Sequence, residues 1–165
     1  MDWGPEAFAD AKIPRNFAPY GIQTITNSDR SETVWVTYTA LNKAQGGFVD
    51  AFTTAGELIR HFAVQGPLHS PWGIAKALAD FGPMSNALLV SDNISRGRID
   101  AFDPNTGAFL GPLRDEGGKP IEIDGLWAIQ FGQDGGPNGK HNQLFFTADP
   151  SNYRSGTFGV ITVGP

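Results

Sequence analysis

Three apolar runs in this chain of 165 residues end in Thr39, Asn93 and Asp149, with Tyr38, Asp92 and Ala148 just before them. Asn93, Asp149 and Asp92 are therefore candidate metal ligands, since a hard cation such as calcium takes roughly six to eight oxygens. The competing structure for the same residues is an Asx-turn, in which the side chain accepts nearby backbone N–H groups. His69, set in Gly66-Pro67-Leu68-His69-Ser70-Pro71, is a candidate general base at neutral pH. Asp124 is a second candidate catalytic residue, reached from Arg114-Asp115-Glu116 through Lys119 and Glu122. Each has a structural alternative, a capped turn residue for His69 and a carboxylate fixing the turn at Gly125 for Asp124. His61 alternates with apolar neighbours, and His141 lies beside the turn cluster Gly135-Gly136-Pro137-Asn138-Gly139; neither draws attention.

What must position these residues is a pattern that occurs three times: Pro19-Tyr20-Gly21-Ile22, Pro71-Trp72-Gly73-Ile74 and Leu126-Trp127-Ala128-Ile129. Tyr20, Trp72 and Trp127 are offset by 52 and 55 residues, a period that belongs to a sheet-sized unit repeated in an array or ring. A second run follows in each copy, at Val34 to Thr39, Leu88 to Asn93 and Leu144 to Asp149. A third begins at a glycine, at Gly47, Gly97 and Gly156. The first two copies add a tight turn and a fourth run, Glu57 to Phe62 and Ala108 to Leu113. Each unit reads as a four-stranded meander. The chain reads as all-β, a single domain of three propeller blades that make half of a six-bladed ring. Its 21 Gly and 12 Pro supply the turns that many short strands need. The best helical candidate, Gly73 to Phe81, is cut by Gly82-Pro83 and reads as strand plus turn. Trp35, Trp72 and Trp127 recur on apolar strands and are expected in the core between blades.

The boundaries follow from the period. Residues 1–17 read as an outer closing strand, Trp3 to Asp10, and a lead-in; 18–64 form blade 1, 65–116 blade 2, and 117–165 blade 3 without its outer strand. Propellers close with about four to eight blades. An extra strand at one end and a missing one at the other predict a two-fold homodimer, in which each N-terminal strand completes the partner's third blade. The other reading is a fragment of a longer six-bladed chain.

Charge and motifs narrow the function. A net charge of −5, with basic residues scattered singly, excludes nucleic acid as a partner. Cysteine is absent, so disulfides and thiolate metal sites are excluded. No run approaches the roughly 20 apolar residues of a membrane span, and the first residues lack a signal peptide's basic and apolar regions. There is no Gly-x-Ser-x-Gly elbow, His-Glu-x-x-His pair, phosphate loop or dinucleotide fingerprint.

The runs Gly46-Gly47-Phe48-Val49-Asp50-Ala51-Phe52, Gly66 to Ala75, Gly97 to Pro104, Gly107 to Gly111, Ile123 to Trp127 and Leu144 to Ala148 carry a resemblance. From about Ala18 onward the chain resembles the second half of bacterial six-bladed propeller proteins of unassigned function, often exported and some with PEP-CTERM tails. The resemblance implies a fold related to NHL and lactonase-type propellers and an extracellular or periplasmic location; it brings no catalytic residues. In lactonase-type propellers a ring of Asp, Asn and Glu holds a divalent cation, which would be the role of Asn93, Asp149 and Asp92 here. Two function classes follow. One is a binding or scaffold module presenting loops to a small molecule, carbohydrate or peptide. The other is metal-assisted hydrolysis of a lactone or ester at the ring axis. No nucleophile, base and orienting group can be named together, which favours the first.

Overall fold

The computed structural model describes residues 4, 7–41, 46–64, 66–150 and 155–164. Among them, three antiparallel meanders follow one another along the chain. The first sheet is β1 (Phe17–Thr26), β2 (Glu32–Ala40), β3 (Gly47–Thr53) and β4 (Leu58–Val64). The second is β5 (Pro71–Lys76), β6 (Leu88–Asp92), β7 (Ile99–Phe102) and β8 (Phe109–Pro112). The third has three strands, β9 (Leu126–Phe131), β10 (Gln143–Ala148) and β11 (Thr157–Thr162). The Gly82-Pro83 break forms a single 3-10 turn over Gly82–Met84, and no helix among the described residues is long and apolar enough to cross a membrane.

Because successive strand residues point to opposite faces, a strand between two sheets must be apolar on both. β6 shows this: Leu88 and Val90, with Ile74 of β5, pack against Trp35, Val49 and Phe62 of the first sheet. Leu89, between them, packs with Leu126, Ile129 and Leu144 of the third. The first strands β1, β5 and β9 lie side by side at the inner edge of the stack.

The N-terminal stretch departs from expectation. Among its described residues no strand precedes β1; Ala7-Phe8 and Ala11-Lys12 are turns, while Trp3, Pro5 and Glu6 lie outside the described residues. Phe8 sits at φ 58°, and Pro14 lacks an N–H, so the backbone here is not a pairing strand. Instead Phe8, Ile13 and Phe17 pack on Val34, Val36, Tyr38, Phe48 and Phe52, the face of the first sheet turned away from the second. The reason is burial: that face carries five large apolar side chains, and the segment covers them in its own chain.

Candidate functional site

The aromatic-Gly-Ile pattern is a bulge, repeated in β1, β5 and β9. The register shifts set Tyr20-Gly21 against Thr37, Trp72-Gly73 against Ser91 and Trp127-Ala128 against Thr147. A bulge breaks the backbone ladder, and here a hydroxyl repairs it. Thr37 Oγ1 accepts from the Gly21 N–H at 2.9 Å, Ser91 Oγ from Gly73 at 2.8 Å and Thr147 Oγ1 from Ala128 at 3.3 Å. The first two hydroxyls also donate across to the next sheet, Thr37 to the Trp72 carbonyl at 2.9 Å and Ser91 to the Trp127 carbonyl. Close approach explains the glycines. A Cβ at Gly21 would lie 1.8 Å from the Trp72 oxygen, and one at Gly73 would lie 2.7 Å from the Ile129 nitrogen.

The bulges also re-aim the aromatic rings. Tyr20 meets Trp72 edge-on at 5.0 Å, and Trp72 stacks on Trp127 at 5.3 Å and 25°. Tyr20 is 42% exposed and the two tryptophans are half-buried. Of the three tryptophans expected between blades, Trp35 is there, edge-on to Phe62 at 4.8 Å. Trp72 and Trp127 instead form a row with Tyr20 along the inner edge.

The sequence-derived candidates divide into two groups. Asp92 is buried, and its carboxylate accepts from the backbone N–H groups of His69 at 3.0 Å and Ser70 at 2.8 Å. Burial pushes its carboxyl up, and those two N–H groups oppose the shift. This is the turn-fixing alternative, and it draws His69 in too, since Nδ1 of His69 lies 2.7 Å from the Pro67 carbonyl oxygen and 3.3 Å from Asp92. Asn93, Asp124 and Asp149 border a separate cleft of about 350 Å³ beside Trp127, and His69 is not part of its wall. Asn93 donates from Nδ2 to the Leu126 carbonyl at 3.0 Å, and the Asp149 N–H donates to Gly125 at 2.9 Å. Asp92 and His69 thus meet at one turn, and Asn93, Asp124 and Asp149 share the wall of one cleft.

A third cluster escaped sequence reasoning. Asp10, Asp50 and His61 offer ligand atoms all within 4.8 Å of one another, the one such group of three among the described residues. Register brings Asp50 of β3 opposite His61 of β4, and the N-terminal segment brings Asp10. Burial pushes the Asp50 carboxyl up to about 6, opposed by His61, and burial together with the Asp50 charge pushes the Tyr38 phenol up as well. The available signal was Asp50 itself, an acid inside an apolar run that recurs as Asp100, also buried and also pushed up to about 6 by burial.

No family model matches the chain. Two curated proteins of Acanthamoeba polyphaga mimivirus, both described as uncharacterized, are similar to it. Protein R648 is 36% identical over 123 residues, which cover 74% of this chain and 29% of the relative. Protein R640 is 31% identical over 123 residues, covering 71% and 22% respectively. The chain therefore spans less than a third of the length of these relatives. They are viral, whereas the resemblance pointed to bacteria. Among solved structures, the Dos1 propeller superposes with a TM-score of 0.53 at 10% identity, over 90% of this chain and 36% of that one. At that identity the likeness speaks for the fold alone, and with the three meanders it shows the chain to be built of β-propeller blades.

Proposed function

We propose that the chain works as a β-propeller binding module whose contact surface is the row Tyr20, Trp72 and Trp127 with the adjoining cleft of Asn93, Asp124 and Asp149. The observation that carries this reading is the threefold bulge. Each copy gives up regular pairing to turn an aromatic ring to the inner edge, where Trp35-type burial would have served packing better. Aromatic faces beside carboxylates suit a carbohydrate, whose C–H faces stack and whose hydroxyls donate to Asp124 and Asp149. A glycan array, followed by titration of tryptophan fluorescence with the best sugar, tests it. Trp127→Ala should weaken binding at least tenfold; an unchanged affinity refutes the role of the row.

A second reading rests on the cleft alone. Two carboxylates and an amide are donors for calcium or another divalent cation, as metal-assisted hydrolysis of a lactone or ester requires. Turnover of a lactone and ester panel that stops with chelator and with Asp124→Asn would establish it.

The ring itself needs further sheets. The expected homodimer relied on an N-terminal strand passing to a partner, and that segment lies on its own first sheet. The greater length of the relatives favours further blades in one longer chain, as against a dimer of half-rings. Light scattering on the 165-residue chain separates the two: a stable dimer supports the half-ring, and a monomer supports the longer chain.

A further inference from the structure

We propose that Asp10, Asp50 and His61 form a zinc site that staples the N-terminal segment to the first sheet. Two carboxylates converge on one ring nitrogen. Nδ1 of His61 lies 2.6 Å from Asp50 Oδ1 and 2.9 Å from Asp10 Oδ2. That nitrogen carries at most one proton, so it can satisfy one of them. The remainder is visible: the Tyr38 hydroxyl also bonds the Asp50 carboxyl, yet Asp50 Oδ2 is buried without a hydrogen-bond partner and buried Asp10 Oδ2 has only the contested Nδ1 beside it. Asp50 is 0% exposed and the Asp10 side chain 3%, so both carboxylates lie out of reach of bulk solvent. Buried carboxylate oxygens are normally paired or bound to a cation.

His141 shows what a histidine does when protons suffice. It also sits between two carboxylates, but each ring nitrogen faces a different one, Nδ1 to Asp134 and Nε2 to Asp80 at 2.8 Å. An imidazolium there satisfies both with its two N–H groups, and all three side chains are exposed. At His61 both acids crowd the same ring nitrogen, and the three ligand atoms lie within 4.8 Å of one another, close enough to share a cation.

The donor set chooses the metal. One imidazole nitrogen with two carboxylates and no thiolate suits zinc, while calcium and magnesium take oxygen ligands. Zinc bonds of about 2.0 to 2.2 Å in tetrahedral geometry put ligand atoms about 3.4 Å apart, so Nδ1 and the oxygens need move apart by less than about 1 Å. A fourth position remains for water. Because Asp10 precedes β1 whereas Asp50 and His61 lie in β3 and β4, the ion would fasten the covering segment to the face it covers.

Calorimetric titration of the purified chain with zinc chloride at pH 7.5, after chelator treatment and dialysis, tests the site. One zinc per chain is expected, with affinity reduced at least a hundredfold by His61→Gln and at least tenfold by Asp10→Asn, and unchanged by His141→Gln. Asp10 lies outside the sheets, so its variant reports even if substitution at His61 harms folding. Zinc should also slow proteolysis within residues 4–16 in the parent and not in Asp10→Asn. Absence of zinc uptake, or uptake indifferent to both His61→Gln and Asp10→Asn, overturns the proposal.

Discussion

The outer faces of the first and third sheets carry the same kind of residues and meet different surroundings. On the first, Val34, Val36, Tyr38, Phe48 and Phe52 are buried beneath Phe8, Ile13 and Phe17. On the third, Phe145 stacks on Phe158 at 5.6 Å, and Phe158 and Val160 stand 72% and 46% exposed. The inner strands differ in step. Gly21 and Gly73 press against the backbone of a following sheet, and the third copy has Ala128. The hydroxyls of Thr37 and Ser91 reach a following carbonyl, whereas Thr147, at the same point of the third sheet, is exposed. Among the described residues, the stack is therefore covered at one end by its own chain and uncovered at the other. A sheet laid on that face would meet the Ala128 methyl where the second sheet meets bare Gly21.

The sharpest way to break this comparison is to exchange its small residues. Gly21→Ala drives a methyl into the Trp72 carbonyl, where the nearest atom is backbone and cannot swing away. A loss of about 3 kcal/mol or more is expected in urea unfolding. Ala128→Gly should change stability by about 1 kcal/mol at most, the usual cost of a strand glycine. Equal effects at the two positions would mean that the inner strands do not differ as described.

Next in size is the cover. Phe8 packs on Phe52 with ring centroids 5.6 Å apart. Phe8→Ala should cost about 2 to 3 kcal/mol, less than for a fully buried ring because Phe8 is partly exposed. Phe158→Ala should stay within about 0.5 kcal/mol in the isolated chain. A large loss at Phe158 that grows with protein concentration would show that a second copy covers the third sheet.

Much of this was legible in the sequence because it is periodic. Runs such as Leu88-Leu89-Val90 and the glycines before Phe48 and Arg98 fix the strands, and all three sheets fall where the repeat places them. Phe8-Ala9-Asp10 misled because an apolar residue at the right distance from a blade mimics its outer strand. Only the uncovered face of β2 and β3 decides where such a segment goes. Trp72 and Trp127 sit on apolar strands as buried Trp35 does, and the bulges that turn them outward are a property of pairing. His61 was passed over because its partners come from cross-strand register and from a segment outside the repeat. Asp92 sat at the right point of the repeat, but the turn at His69-Ser70 claims its oxygens.

The interface between the first and second sheets also has a titration that the interface between the second and third lacks. Asp100 pairs with Val90 and so points with it towards the first sheet, while the equivalent residue of β11 is Gly159. Burial foremost, and then the Asp92 charge, push Asp100 up to about 6, against the opposing pull of Arg98 and His69. In the unfolded chain it titrates near its ordinary 3.8. Between those values the folded state holds more protons, so this contribution is complete below about pH 3.8 and is lost as pH rises through about 6. Asp92 acts in the same direction. Asp100→Asn should therefore match the parent near pH 4 and exceed it by on the order of 2 kcal/mol at pH 7.5, read from urea midpoints across that range. Curves for parent and variant that stay parallel would remove Asp100 from the account.

The smallest contrast concerns the hydroxyls. Ser91→Ala strips the Gly73 N–H of its acceptor and the Trp127 carbonyl of a donor, both at a closed interface, and should cost about 1 to 2 kcal/mol. Thr147→Val removes the same group from the bare sheet, where water can replace it, and should cost less than about 0.5 kcal/mol. If a further sheet docks on the third, its inner carbonyl would take the Thr147 hydroxyl as Trp127 takes that of Ser91, and the two costs would converge. The ratio of these two losses thus reports whether the bare face is covered in solution, independently of any measurement of mass.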